Sequence, residues 1–566
     1  MSLPSSLQYG AFLLCVALLV RPLGAYLDRV FARGPTLLDR LLLPLEAALH
    51  RALRVDPLEE MTWGEYASAF IVFSGCGCLV AYALLRLQSV FPGYDAAALT
   101  TSMTPALAFN TAVSFATTTT WQAYAGETTM TPWTQIVVLM TQNFLAGAAG
   151  LAIGIAFFRG FAREKAAGLG NFWSDLVRGV LWVLLPLSVL GALFLSWQGV
   201  PTTLLSFRRV ATLEGVSQVI ALGPVAPFEI IKNVGTNGGG FFNANGAHPF
   251  EVPTPLVNFV LLLSIVAIPA ALTHTFGRML GRPRLGWVLF GVMVALFAAG
   301  LVVCHRAEAR GSVALRAAGL TAGTPNLEGK EVRFGVGSSV LGAVTTSNGA
   351  TGSTNSMHDS FTPIGGMVPL FNMLMGEIVF GGLGTGIMSL LLVGFLGLFA
   401  AGLMVGRTPE YAGKTIGATE MKLIMLYALA APVAILIPTA IAVRVPAGLA
   451  GLTTNTGPHG YTEILFAFAS CFANNGQSFA GLSANSLFYN VATAVAMMMG
   501  RFGLAVPALA LAGRFGAQGR RPATAGTLPT DSLLFGFVVI ATALVVGALC
   551  YLPALCLGPI AEQFRN

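Results

Sequence analysis

The chain has 566 residues, 55% of them hydrophobic and only 10% charged, with a formal net charge of +7. Ordinary soluble proteins carry roughly 25% charged residues, so the composition excludes a soluble multidomain enzyme and makes lipid the expected solvent for one membrane domain over 1–566. The basic residues are scattered through short connections and not gathered on one face, which argues against nucleic acid as a partner.

A helix crossing the hydrocarbon needs about 20 apolar residues. Runs of that kind lie near 6–25, 65–88, 133–158, 177–197, 255–276, 285–304, 367–405, 421–443, 487–512 and 532–556, giving ten expected spans. The first run lacks the basic leading region and small-residue cleavage pattern of a signal peptide, so it is expected to stay as a span. Cys76 and Cys78 fall inside the second and read as small helix residues. No His-Glu-x-x-His or Cys-x-x-Cys spacing is present, so no zinc or iron chemistry is expected.

The run over 367–405 is too long for one straight crossing. Gly381-Gly382-Leu383-Gly384-Thr385-Gly386 interrupts it and predicts a broken helix, whose freed backbone needs protein or a water-filled cavity to satisfy it. Glu377 lies in the same run; an acid at that depth lines a cavity or braces the loop. Glu377, Gly381, Gly382, Gly384 and Gly386 are therefore candidates for a gate or ion path.

Alternate connections at 26–62, 159–178, 277–284, 406–422 and 513–521 hold 18 Lys and Arg. The longer ones at 91–132, 198–253, 305–366 and 446–486 hold 8. This bias places the first set in the cytoplasm and both termini outside.

Each long connection holds a short apolar segment or polar cluster of one type. Phe109 to Ala116 leads into Thr117-Thr118-Thr119-Thr120-Trp121-Gln122, and Phe228 to Val234 into Gly235-Thr236-Asn237-Gly238-Gly239-Gly240. Ala350-Thr351-Gly352-Ser353 is the third cluster, and Ile464 to Ala473 leads into Asn474-Asn475-Gly476-Gln477-Ser478. Thr118, Gly238, Gly352 and Gly476 lie 120, 114 and 124 residues apart. One such cluster is an ordinary turn; four at near-constant spacing are an internal repeat. The reading is an all-α membrane protein with a first helix and loop at 1–62, repeats at 63–160, 161–280, 281–418 and 419–515, and a last helix at 516–566.

Four polar hairpins between spans have the parts of a cation filter. Rings of backbone carbonyls replace an ion's hydration shell, glycine allows the left-handed backbone this requires, and a short helix adds its negative C-terminal end.

Asn233-Val234-Gly235-Thr236-Asn237-Gly238-Gly239-Gly240-Phe241-Phe242-Asn243-Ala244-Asn245, Met357-His358-Asp359-Ser360-Phe361-Thr362-Pro363, Gly406-Arg407-Thr408-Pro409-Glu410-Tyr411 and Phe472-Ala473-Asn474-Asn475-Gly476-Gln477-Ser478-Phe479 resemble signatures of the potassium-binding A subunits of Kdp-type potassium-transporting ATPases. The resemblance implies the membrane-pore-membrane fold of the Trk, Ktr and HKT transporters, placed in a bacterial inner membrane. It implies potassium as the bound ion, a P-type ATPase B subunit, a C subunit and a small F subunit as partners, and delivery of the ion through the membrane towards the B subunit. Carried over by position, it puts the potassium filter at Thr118, Thr119, Gln122, Thr236, Asn237, Gly238, Thr351, Gly352, Asn475 and Gly476. The family pattern has Asn on either side of a Thr where this chain has Thr118 and Thr120, so side-chain bracing of the first segment is expected to differ. The third cluster also departs around Thr351 and Ser353.

Lys232 and Glu229 lie three apart on the second pore segment and predict a local ion pair. Gly413-Lys414-Thr415 imitates the end of a phosphate-binding loop, but Thr408 stands where the leading glycine is needed. No Asp-Lys-Thr-Gly-Thr segment is present, so this chain is expected to bind no nucleotide and to have no catalytic site of its own. Two other readings compete: a self-sufficient Trk-like channel or symporter, and a membrane enzyme using His248, His358 or Asp359, for which no nucleophile, base and orienting group occur together.

Overall fold

A computed structural model describes residues 3–321, 323–404, 406, 409–522 and 528–565. Arg407 and Thr408 lie outside the described residues. Among the described residues, ten helices are long and apolar enough to cross a membrane: Leu3–Phe31, Trp63–Arg86, Pro132–Ala162, Phe172–Trp197, Pro255–Met279, Pro283–Ala309, Thr385–Met404, Ala418–Ala442, Leu487–Ala517 and Leu533–Arg565. The chain is a multi-pass membrane protein.

Helix starts follow local chemistry. Thr62 and Glu65 form a reciprocal capping box ahead of the second span. Thr104, Thr254 and Thr362 each cap a helix whose first residue is proline, where a missing N–H costs nothing. Many large apolar side chains of the outer spans, among them Leu14, Leu18, Leu79, Leu193 and Leu549, remain exposed, as lipid-facing positions should.

The expected broken helix is present, with its gap displaced towards the N-terminus. Pro363–Leu374 ends, the chain is non-helical to Gly384, and Thr385–Met404 resumes. Gly376, Glu377, Phe380 and Gly384 all have positive φ, whereas Gly386 lies inside the second helix. The gap packs on a stripe of small residues in the third span. A methyl on Gly150 would stand 2.9 Å from the Leu383 oxygen and one on Gly154 2.5 Å from the Gly384 Cα; small residues at such contacts let membrane backbones approach.

Two features were not legible as separate elements. Residues 26–62 contain a helix, Asp39–Leu53, with Glu46 and His50 buried on one side and Leu41 and Leu45 exposed on the other. An antiparallel hairpin pairs Phe207–Ala211 with Ser217–Ala221. Lys414, the apparent phosphate-loop lysine, is buried in a tight hairpin, where Lys414–Thr415 pairs with Glu410–Tyr411. Its ammonium donates to the carbonyls of Arg163, Phe515 and Gln518 at 2.7, 2.8 and 2.6 Å, so it ties the backbone of two spans' ends together.

Candidate ion filter

Four short helices, Pro105–Ala116, Val225–Val234, Gly335–Asn348 and Gly457–Ala473, each stop directly before one of the polar clusters. Their C-terminal ends, with unpaired carbonyls and partial negative charge, are therefore turned into the clusters.

The backbone repeats there with fourfold regularity. Thr118, Thr236, Ala350 and Asn474 have φ of 66°, 48°, 49° and 56°, all left-handed, although none is glycine. Two residues on, Thr120, Gly238 and Gly476 are left-handed again, at 50°, 96° and 88°. Alternating left-handed and ordinary backbone turns successive carbonyls to one side. This geometry corrects the register read from spacing. Thr118 corresponds to Thr236, and it is Thr120 that occupies the Gly238 position.

The segments close into a ring. Thr120 Oγ1 donates to the Asn237 carbonyl at 2.6 Å, joining the first to the second. A methyl on Gly238 would collide with the Gly352 nitrogen, and one on Gly352 would stand 2.7 Å from the Gly476 carbonyl carbon. A methyl on Gly476 would collide with the Thr119 oxygen, and Asn474 Nδ2 donates to Thr119 Oγ1 at 2.9 Å, so the fourth segment returns to the first.

Side chains named from sequence divide by task. Gln122 clamps segment two, donating to the Gly240 oxygen at 3.0 Å and accepting from its nitrogen at 2.9 Å. Thr351 Oγ1 donates to the Gly349 oxygen at 2.8 Å. Thr236 Oγ1 accepts from the Leu383 N–H at 3.0 Å, coupling the second segment to the gap in the broken helix. Asn475 Nδ2 donates to the Thr346 oxygen at 2.9 Å and to Glu377 Oε1 at 2.7 Å. These four side chains brace the ring through bonds to other groups.

A family model, Potassium-transporting ATPase A subunit, matches residues 10–564. The chain belongs to that family. A relative from Methylobacterium nodulans, a potassium-transporting ATPase potassium-binding subunit, is 51% identical over 99% of this chain and 96% of its own length. One of the same description from Rhodopseudomonas palustris is 50% identical over 98% and 97%. The potassium transporter TrkH from Vibrio parahaemolyticus superposes with a TM-score of 0.49 at 14% identity, covering 89% of this chain and 97% of that one.

In this family member the ring separates two spaces. On one side is a cavity of about 850 Å³ reached by Thr120, Gln122, Gly239, Gly352 and Gly476. On the other is a cavity of about 50 Å³ bounded by Thr118, Thr236, Ala350 and Asn474. Glu377, Gly382 and Leu383 line the smaller one, so the broken helix abuts that face of the ring; Gly381, Gly384 and Gly386 do not line it. Gly381 and Gly386 instead meet each other, their missing side chains allowing the turn.

Arg501, also on this cavity, was not singled out from the sequence. It is buried, donates to the Ala146 oxygen at 2.8 Å, lies 5.4 Å from the Phe70 ring centre, and forms no ion pair among the described residues. The intramembrane-charge rule that flags Glu377 flags Arg501 equally, since it interrupts the apolar run over 487–512. Beyond Ser389 and Tyr427, whose hydroxyls meet at 2.8 Å, an apolar cavity of about 100 Å³ continues to Val546, Gly547 and Tyr551 of the last span.

The expected Lys232–Glu229 pair forms at 2.7 Å, fully buried, and gains a partner that spacing did not suggest, Glu251 at 2.8 Å. Glu251 Oε1 also accepts from the Phe242 N–H, so this triad anchors the chain leaving the second polar segment. His248 stacks on Phe242 at 3.9 Å, while His358 is buried 5.3 Å from Phe361.

Proposed function

We propose that this chain is the potassium-selecting and translocating subunit of an ATP-driven uptake complex. One observation carries the reading: four left-handed turns at Thr118, Thr236, Ala350 and Asn474, each at the end of a short helix, contact one another in a closed ring between a wide and a narrow cavity. Potassium enters the filter from the 850 Å³ vestibule, exchanging water for the oxygens of Thr118, Thr119, Gln122, Thr236, Asn237, Gly238, Thr351, Gly352, Asn475 and Gly476.

Below the ring, Glu377 favours a cation, and Arg501 opposes its straight descent. The ion is then directed sideways past Ser389 and Tyr427 towards the face of the last span, where a partner would receive it. The names of the relatives support a complex with a potassium-transporting ATPase; in this reading a P-type ATPase B subunit stands there, with C and F subunits completing the assembly. The repeats 63–160, 161–280, 281–418 and 419–515, with the first helix and loop at 1–62 and the last helix at 516–566 outside them, each hold one of the four turns. The basic short connections favour both termini lying outside the cytoplasm, and the family match supports placement in a bacterial inner membrane.

The test is isolation of the native assembly. Co-purification with a P-type ATPase whose ATP hydrolysis is stimulated by potassium is expected. Recovery as a lone oligomer that takes up potassium without ATP would overturn the subunit assignment and leave a self-sufficient channel or symporter.

A further inference from the structure

Outside the filter, five polar side chains from three distant stretches converge beside the third and fourth segments. His459 and Glu463 lie four residues apart, on one face of the helix Gly457–Ala473. Asp359 comes from the turn His358–Ser360, and Glu562 from beyond a kink at Gly558 in the last span. The ligand atoms of Asp359, His459 and Glu463 all lie within 4.8 Å of one another.

The bonding inside the cluster is lopsided. His459 Nδ1 meets Glu562 Oε1 at 2.9 Å, and Nε2 meets Asp359 Oδ1 at 3.0 Å. Asn455 Nδ2 donates to Asp359 Oδ2 at 3.2 Å and to Glu463 Oε1 at 2.9 Å. Glu463 is fully buried, yet its Oε2 has no hydrogen-bond partner. A buried carboxylate oxygen without a partner is costly. One imidazolium, moreover, cannot balance the carboxylates of Asp359, Glu463 and Glu562.

We infer that Asp359, His459 and Glu463 form a binding site for a divalent transition-metal ion of the zinc type. Zinc takes imidazole nitrogen and carboxylate oxygen at about 2.0–2.2 Å, and two such ligands on one ion stand roughly 3 Å apart, the Asp359–His459 separation. Glu562 on the far ring nitrogen supplies the carboxylate that orients a metal-bound histidine. The ion gives Glu463 Oε2 its missing partner and offsets the negative charge. It also fastens the turn after the third filter segment to the fourth pore helix and the last span. Motif spacing misses the site because Asp359 and His459 are 100 residues apart in sequence.

The experiment uses the untagged full-length chain in detergent, freed of metal by chelation and titrated with Zn²⁺ by calorimetry and with Co²⁺ by visible absorption. One ion per chain is expected, with an imidazole in the first shell by X-ray absorption of the zinc-loaded wild type. His459→Gln and Glu463→Gln should each weaken binding by about 100-fold, and Glu562→Gln by about 10-fold, with potassium binding retained as the sign of a folded chain. Absence of stoichiometric binding, or a zinc shell without imidazole, would overturn the site even if a variant fails to fold. Unchanged affinity in the His459 and Glu463 variants would do the same. The potassium assignment stands or falls separately, because none of these residues is in the ring.

Discussion

The hydroxyl of Thr120 donates to the backbone carbonyl of Asn237 at 2.6 Å, so the first segment of the ring braces the second through a side chain. Thr120 stands where two of the other segments carry a left-handed glycine, and its own backbone is left-handed too. A neutral hydrogen bond contributes about 0.5–1.5 kcal/mol. Thr120→Val should therefore weaken potassium binding by about 2- to 12-fold, while Thr120→Ser keeps wild-type affinity, measured by equilibrium binding to the purified chain.

Glycine at 352 is required for a different reason, the approach of backbone. Its added methyl would stand 2.7 Å from the Gly476 carbonyl carbon, and rigid backbone has nowhere to move. Gly352→Ala should lower discrimination of potassium from sodium by at least about 10-fold. Gly291→Ala, where a methyl meets nothing within 4 Å, should leave it unchanged. Competition binding with rubidium and sodium reads both.

Glu377 is expected to act both as an acceptor for Asn475 and as a charge on the cavity, and two substitutions separate these roles. Glu377→Gln keeps an oxygen for Asn475, so affinity should stay within about 3-fold while uptake slows. Glu377→Ala loses the acceptor as well and should weaken binding by a further 2- to 12-fold or so. Equal uptake by wild type and Glu377→Gln would leave the residue a brace alone.

Lys232 sits between Glu229 and Glu251 with all three side chains fully buried. Removing one partner of a buried pair typically costs about 3–5 kcal/mol, because the remaining charge is uncompensated. Lys232→Met should accordingly be among the most destabilising single changes near the filter. Thermal unfolding followed by size-exclusion chromatography in detergent provides the readout.

His358 gives the fold a dependence on acid. Burial, reinforced by the positive charge of Lys330, pushes its imidazole down to about 3 from an ordinary 6.5. The folded chain thus keeps His358 neutral at pH values where the unfolded chain protonates it. Stability from this group is complete above pH 6.5 and is lost as pH falls from there towards 3, by about 10-fold in the folding equilibrium per pH unit. The midpoint of denaturation between pH 6.5 and 4 should fall less steeply in His358→Gln than in wild type.

Amino-acid order alone determined the membrane class, the ten spans, the broken helix and the positions of the four polar clusters. Each of these rests on local composition: long apolar runs, glycine punctuation, and Thr, Asn and Gly at near-constant spacing. It did not determine the register between the clusters. A threonine and a glycine can share a left-handed backbone only when neighbouring segments hold the threonine there, as Asn237 holds Thr120. Nor did it reveal that Glu251 completes the Lys232 triad, that Thr236 meets Leu383, or that Arg501 faces the inner cavity. Those pairings join residues up to several hundred positions apart. Only the packing of the spans brings them within hydrogen-bonding or electrostatic range, and no periodicity in the chain encodes that distance.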